Sequence, residues 1–405
     1  MRPLFACIIT LLFFSCNEEI KNKTLEAGTY RARLEVQDHE ELPFIFEVTS
    51  PNHLKIYNAE ERIEVDEITY KNDSIYIKAP IFEGYLVAKI NNDKNLQGYY
   101  IKESLDRVVP FKAEKNQATR FEVTSQPTTD VSGIWETVFD RGNSVDEYLA
   151  KGIFKQEGGK VTGTFRTTTG DYRYLEGVID GDIMKLSTFD GAHAFLFTAK
   201  ITDSTMQGTF YSDNHWKVPF DAKRNAAYKL PDATELTFLK EGYDSLEFTF
   251  PNSSNEMVSL DDDRFKGKVV IVQIMGSWCP NCLDESKYYT EYYKKNKLRG
   301  VEIVALAFEY AKTKESAFSS IGRLQSNLGI DYPILLAQYG SSDKAKAQGK
   351  LPMLNQVLSY PTSIFIDKSG KVRKIHTGFN GPATGEKYVE FKAEFEAFVN
   401  TLLDE

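Results

Sequence analysis

The sequence predicts a chain of several domains, in which two antiparallel β-meander modules, barrel-like or sandwich-like, precede an α/β domain. Three observations predict this fold class. Residues 25–118 resemble residues 130–226, both segments alternate apolar and polar residues with a period of two, and residues 240–405 alternate apolar strand-like runs with helix-like stretches. The 405 residues are enough for two or three domains.

The first 16 residues have the pattern of a secretory signal. Arg2 precedes an apolar run over 4–14, and the small residue Ser15 stands directly before Cys16. The run is too short to cross a bilayer. We therefore expect an exported protein. One interpretation is an ordinary signal peptide in which Cys16 has no special role.

The position of Cys16 resembles a bacterial lipoprotein signal, in which the cysteine after the cut becomes the lipid-modified N-terminus. The resemblance implies a signal peptide at 1–16, acylation of Cys16 and a polar tether at 17–24. Acyl chains would hold the protein on a membrane of the bacterial cell envelope, facing the periplasm or the exterior. Phe13 and Phe14 depart from the usual pattern before the cut.

An internal duplication supports the two β modules. Residues 109–116 recur as 218–225, and Gly28-Thr29-Tyr30 at the start of the first module corresponds to Gly133-Ile134-Trp135 in the second. Short alternating runs broken by Gly, Asn and Asp indicate antiparallel strands with one packed face.

The role of the modules stays open between three interpretations: a spacer or client-docking platform, a dimerisation surface, and a ligand site in a barrel mouth. Small barrels are more often filled by their own side chains. We accordingly expect Tyr30, Trp135 and Trp216 to lie in the core.

The C-terminal half follows a linker at 231–234 and a hairpin at 246–260. Its apolar runs and amphipathic stretches predict a mixed α/β sheet covered on both faces. The predicted strands are 269–275, 301–308, 332–337, 363–367 and 372–376, and the predicted helices are 283–297, 314–328 and 387–403. Residues 338–350 form an insertion rich in lysine, alanine, glutamine and glycine.

Cys279 and Cys282 stand where the first of these strands turns into a helix. Two cysteines separated by two residues at such a turn are typical of a thiol–disulfide redox centre, because the helix N-terminus stabilises a thiolate at the first one. Pro280 suits the first helical turn. An inert disulfide or a lost metal site is the alternative, but a zinc site needs four ligands and the other cysteines are Cys7 and Cys16.

Trp278-Cys279-Pro280-Asn281-Cys282 after Gly267-Lys268-Val269-Val270, with Tyr360-Pro361-Thr362 before Phe365-Ile366-Asp367, resembles the thioredoxin fold. More narrowly, residues 240–405 are similar to the TlpA/ResA-like exported disulfide reductases. The β modules lie outside this resemblance.

The resemblance implies roles for the matched residues. Cys279 would be the attacking nucleophile and Cys282 would resolve the mixed disulfide. Pro361 matches a proline that is cis in this fold, with Tyr360 and Thr362 beside it and the backbone before it pairing with the client. Trp278 would pack against the sulfurs, and Pro280-Asn281 lacks the histidine of the strongly oxidising DsbA type, which favours reduction.

Two positions concern the proton of Cys282. Gln273 stands where thioredoxin has a buried acid, so the usual base is missing. Glu309, after the next strand, aligns with a glutamate that ResA-like proteins place near their cysteines. A partly desolvated Glu309 would have a raised pKa and could exchange a proton with Cys282; a solvated strand-end glutamate is the alternative.

The predicted function is that of a membrane-anchored thiol–disulfide oxidoreductase that reduces client disulfides and is recharged by a membrane thiol-transfer protein. A disulfide oxidase or isomerase, or a binding lipoprotein with an accessory redox domain, are the alternatives. We expect no cofactor and no metal. A net charge of −9 without a basic block argues against nucleic acid as a partner.

Overall fold

The computed structural model describes residues 23–405, so Cys16, the signal and most of the tether lie outside the described residues. The first module is an antiparallel meander in which β1 pairs with both β2 and β9 and the sheet opens between the consecutive strands β4 and β5. Its strands are β1 (Gly28–Glu35), β2 (Glu41–Ser50), β3 (His53–Asn58), β4 (Glu61–Val65), β5 (Ile68–Lys71), β6 (Ser74–Lys78), β7 (Tyr85–Ile90), β8 (Leu96–Lys102) and β9 (Arg107–Lys115).

The second module is a closed barrel of eight antiparallel strands, because β10 pairs with β17 as well as with β11. Its strands are β10 (Gly133–Phe139), β11 (Tyr148–Glu157), β12 (Lys160–Thr167), β13 (Leu175–Asp180), β14 (Ile183–Phe189), β15 (Ala194–Ile201), β16 (Thr205–Ser212) and β17 (Trp216–Arg224). The prediction of barrel-like β modules is therefore confirmed, with full closure only in the second.

The two modules open in the same way. The Tyr30 hydroxyl donates to the carbonyl of Glu26 at 3.1 Å, and the Trp135 indole N–H donates to the carbonyl of Val131 at 2.8 Å. In each case a fully buried aromatic residue is tied to the chain four residues upstream. This shared bond supports the internal duplication seen in the sequence.

Aromatic side chains fill the closed barrel. Phe197 stacks on Phe210 with ring centres 4.5 Å apart, and Phe139 makes an edge contact with Phe165 at 5.4 Å. All four are buried, as expected for a small barrel filled by its own residues. The prediction that Trp216 lies in the core is wrong: it is 38% exposed, because it begins the last strand at the barrel end.

The C-terminal domain is built on a five-stranded mixed sheet with the order β22-β21-β20-β23-β24. The strands before and in this sheet are β18 (Thr249–Pro251), β19 (Met257–Ser259), β20 (Val269–Met275), β21 (Val301–Phe308), β22 (Ile334–Gln338), β23 (Thr362–Ile366) and β24 (Val372–Thr377). The helices are α1 (Pro280–Asn296), α2 (Lys314–Leu328), α3 (Lys344–Lys350) and α4 (Glu386–Asp404).

Strands β20 and β21 run parallel at the centre of this sheet and are buried along their whole length, since helices cover both faces. Tyr288 and Tyr292 of α1 pack against Phe395 of α4, at 5.2 Å and 4.9 Å between ring centres. These contacts fix α1, and hence its N-terminus, over the end of β20. Within residues 23–405, no helix combines the length and apolar character needed to cross a membrane.

Candidate active site

Cys279 and Cys282 form a disulfide at the start of α1, with their Cα atoms 5.2 Å apart. Cys279 caps the helix, because its Sγ accepts a hydrogen bond from the backbone N–H of Cys282 at 3.2 Å. Pro280 takes the first helical position, where its missing N–H leaves nothing unpaired. A backbone N–H and a helix dipole at such a position are the features that stabilise a thiolate at the start of a helix.

The Tyr360–Pro361 segment lies directly beside Cys279. The peptide bond between Tyr360 and Pro361 is cis, and the Tyr360 carbonyl oxygen lies 3.4 Å from Cys279 Sγ. Thr362 begins β23, and its hydroxyl donates to the Ser359 carbonyl at 2.9 Å. The two sequence motifs therefore meet at one end of the sheet.

Trp278 forms an aromatic wall next to the disulfide. Its indole N–H donates to the Phe308 carbonyl at 2.9 Å, and its ring lies 5.4 Å from Tyr310 and 5.7 Å from Tyr360. The indole folds back over Gly276, where an added Cβ would lie 2.3 Å from the indole nitrogen. Glycine is thus required at that position for the observed place of Trp278.

Gln273, which stands where thioredoxin has a buried acid, lies next to a second buried carboxyl group, that of Glu285. The Gln273 amide donates to the carboxylate of Glu285 at 2.8 Å, and this carboxylate also accepts from Ser363 at 2.9 Å and Tyr289 at 3.2 Å. Burial raises the pKa of Glu285 to about 7, although the hydrogen bonds oppose the shift. This second buried carboxyl group therefore belongs to α1, three residues after Cys282.

Glu309 is buried at the end of β21, so the alternative of a solvated strand-end glutamate is wrong. Its two carboxylate oxygens accept from the backbone N–H and the hydroxyl of Ser277, at 2.7 Å and 2.8 Å. Burial raises the pKa of Glu309 to about 7. Glu309 therefore holds the segment that leads into Trp278 and Cys279, with both oxygens used by Ser277.

The second β module reaches the two residues between the cysteines. Arg173 donates to the Pro280 carbonyl at 3.0 Å, and the Asn281 amide donates to the Asp171 carbonyl at 3.1 Å. Arg173 also pairs with Asp284 of α1 at 2.7 Å. Sequence reasoning assigned no residue of the modules to the site.

Glu285 and Asp284 were also missed. They stand two and three residues after Cys282, where a buried helix face could have been inferred from the tyrosines that follow. Their burial depends on Gln273 and Arg173, which are remote in sequence, so the motif alone could not reveal it.

Sequence comparison identifies relatives of the C-terminal half. The Redoxin family profile matches residues 226–390. The chain is 30% identical over 145 residues to the thiol-disulfide oxidoreductase ResA of Geobacillus thermodenitrificans, covering 36% of this chain and 74% of that protein. It is 29% identical over 140 residues to ResA of Bacillus subtilis, covering 35% and 69%.

A solved thiol:disulfide interchange protein of the thioredoxin family from Chlorobium tepidum is 21% identical, with a TM-score of 0.31 over 40% of this chain and 98% of that one. The name thiol-disulfide oxidoreductase, which the ResA relatives carry, agrees with the Cys279–Cys282 disulfide at the start of α1. Through its C-terminal domain, the chain belongs to the TlpA/ResA-like family of thioredoxin-fold thiol–disulfide oxidoreductases.

Proposed function

We propose that the protein is an exported, membrane-anchored oxidoreductase that reduces client disulfides through Cys279 and Cys282. One observation carries the proposal: Cys279 caps α1 within bonding distance of Cys282 and beside the Tyr360 carbonyl. That arrangement lets one sulfur be ionised while the other remains within reach to displace a captured partner.

The reaction runs in two exchange steps. The Cys279 thiolate attacks one sulfur of the client disulfide, forming a mixed disulfide and releasing the other client sulfur as a thiolate. The Cys282 thiol then loses its proton and attacks Cys279 Sγ, which releases the second client thiolate and leaves the Cys279–Cys282 disulfide. Two electrons pass to the client, and a thiol donor must return them in the next cycle.

Glu285 is the proton acceptor that best fits the second step. It lies on the same face of α1 as Cys282, three residues on, and its pKa of about 7 suits proton exchange near neutral pH. Glu309 has a similar pKa, and the oxygens of both carboxylates already accept hydrogen bonds, from Ser277 at Glu309 and from Gln273, Ser363 and Tyr289 at Glu285. The position of Glu285 on α1, one turn after Cys282, is what favours it. Thiol titration of Cys282 in Glu285→Gln and in Glu309→Gln distinguishes the two candidates. Replacing the true proton acceptor should shift the titration curve of Cys282, whereas replacing the other glutamate should leave the curve unchanged.

Trapping tests the exchange mechanism. Cys282→Ala should leave Cys279 stalled in mixed disulfides with clients, seen as adducts that disappear on reduction, whereas Cys279→Ala should give none. Equal adduct yields from the two variants would contradict the assignment of Cys279 as nucleophile.

The direction of electron flow follows from the potential of the pair. A reductase should have a reduction potential near that of thioredoxin, which is about −270 mV. A value near that of DsbA, which is about −120 mV, would instead indicate that the protein oxidises its clients. Equilibration of the full chain against glutathione or dithiothreitol buffers measures it.

Membrane attachment is proposed through Cys16. Cys16→Ala should move the protein from the membrane fraction to the soluble fraction and abolish incorporation of labelled fatty acid. Retention of the variant on membranes would contradict the lipid anchor. The cysteine exchange activity should be unchanged, because Cys16 is remote in sequence from the redox pair.

A further inference from the structure

One loop of the closed barrel lies against the active site. We call residues 168–174, which connect β12 to β13, the barrel loop. Its backbone and side chains contact both sequence motifs of the redox centre, so its position bears directly on how a client reaches Cys279. A role for this loop in client access rests on the proposed function.

On the cysteine side, the barrel loop binds the dipeptide between the two sulfurs. The Asp171 carbonyl accepts from the Asn281 amide at 3.1 Å, and the Arg173 guanidinium donates to the Pro280 carbonyl at 3.0 Å. Gly170 makes the closest approach: a Cβ there would lie 2.1 Å from the Asn281 amide nitrogen. Only glycine permits this fit.

On the other side, the barrel loop binds the segments around the cis proline. The Thr169 carbonyl accepts from the Ser359 hydroxyl at 2.8 Å, next to Tyr360. The Asp171 carboxylate accepts from the Gly381 backbone N–H at 2.6 Å. The loop therefore spans the surface from the cysteine dipeptide to the Tyr360–Pro361 turn.

A single buried arginine fastens this arrangement. Arg173 pairs with Asp284 of α1 at 2.7 Å, with Asp190 of its own module at 3.3 Å, and with Glu61 of the first module. The Arg173 side chain is 3% exposed. All three folded units thus share one cation beside the active-site helix.

Thiol–disulfide exchange requires a client sulfur to reach Cys279 Sγ, yet Cys279 is only 6% exposed and Cys282 is fully buried. The Ser359 hydroxyl and the Asn281 amide, polar groups that a bound polypeptide could use, are occupied by carbonyls of the barrel loop.

We propose that the barrel loop occupies the client-binding surface and acts as a gate held by Arg173. An extended client segment with a small residue beside its cysteine would displace Thr169–Asp171. Its backbone carbonyls would then accept the hydrogen bonds of the Ser359 hydroxyl and the Asn281 amide. Small disulfides, which need less of this surface, pass the gate more easily than a protein does.

The test uses the reduced full chain with two disulfides of different size, 5,5′-dithiobis(2-nitrobenzoic acid) and insulin. Arg173→Ala leaves three acidic groups unpaired around the loop and should raise the rate with insulin at least about tenfold, with a smaller effect on the small reagent. The matched control is Arg120→Ala, which removes an equally buried arginine that bonds Pro43 and Ser187 between the two β modules. It should leave both rates unchanged.

Equal rates for wild type and Arg173→Ala with insulin overturn the gate, as does an equal rise with both reagents. No reaction of Cys279 with either reagent in any variant removes the proposed function, and the gate with it. If Arg173→Ala fails to fold, hydrogen exchange of the Cys282→Ala chain provides a second measurement. Two forms of this chain are compared, one with a cysteine peptide and one with a methylthio group disulfide-bonded to Cys279. The peptide adduct alone should lose protection in the barrel loop; equal protection in both adducts overturns the gate.

Discussion

Replacing Glu285 with glutamine should make the C-terminal domain more stable at alkaline pH. Burial raises the pKa of Glu285 from 4.5 to about 7. The ionised form is therefore disfavoured by about 3 kcal/mol, at about 1.4 kcal/mol for each tenfold change in the ionisation equilibrium. Because the pKa is raised by folding, the contribution of the protonated carboxyl is fully present below pH 4.5 and is lost as the pH rises through about 7.

Glutamine stays neutral, so the variant should not lose this contribution. The amide oxygen of the new glutamine can still accept hydrogen bonds from Ser363 and Tyr289. Its amide N–H can donate to Gln273 if the Gln273 amide rotates to present its oxygen. The assay is urea unfolding of the oxidised chain at pH 5 and pH 8.5, with the C-terminal transition followed by hydrogen exchange in β20. The variant should gain up to about 3 kcal/mol over wild type between these pH values.

Glu309 titrates in the same range in both proteins and cancels in the comparison. A difference between Glu285→Gln and wild type that is the same at both pH values, within about 1 kcal/mol, would refute the raised pKa of the buried Glu285.

Three further outcomes are expected. Glu309→Gln should weaken the support of Ser277, seen as faster alkylation of reduced Cys279 at pH 8 than in wild type; an unchanged rate would show that Ser277 is held by other contacts. Trp135→Ala should destabilise the closed barrel by about 3–5 kcal/mol while leaving the reduction potential of the cysteine pair in place, and a shifted potential would contradict that independence. Gly378 has a positive φ, and alanine there would put a Cβ 2.7 Å from the backbone of Thr169. Gly378→Ala should therefore lower the stability of the protein by about 1–3 kcal/mol and increase proteolysis at 168–174. Unaltered cleavage there would count against the contact.

The sequence predicted the C-terminal domain closely because its signals are local. The apolar runs at 269–275 and 301–308 coincide with β20 and β21, and the helix predicted at 314–328 coincides with α2. Runs of this kind are buried on both faces and need no long-range information to be recognised. The helix α3 was missed, because its lysines and glycine resemble a loop and only Asp343 caps it.

The β modules show where local signals end. The alternating runs and the 109-residue recurrence indicate two related meanders, but closure depends on pairing between β10 and β17, at opposite ends of the module. The first module has the corresponding pair, β1 with β9, and still opens between neighbours β4 and β5. Nothing in the alternation distinguishes these outcomes, since they are set by how strands meet across the sheet.

The active site divides in the same way. Cys279, Cys282 and Pro361 stand in motifs whose spacing is readable from the sequence. Glu285 depends on Gln273 from the neighbouring strand, and Arg173 comes from a different module, 107 residues from Pro280. Such contacts arise only when separate elements are brought together in space.

The opening between β4 and β5 leaves two strands with unpaired backbone groups, which are potential templates for another chain. Both are short, at five and four residues, and three of the five residues of β4 are charged, namely Glu61, Arg62 and Glu64. A further strand adding to β4 would have to place its own side chains against these charges. The incomplete barrel is thereby protected from edge-to-edge aggregation at high local concentration.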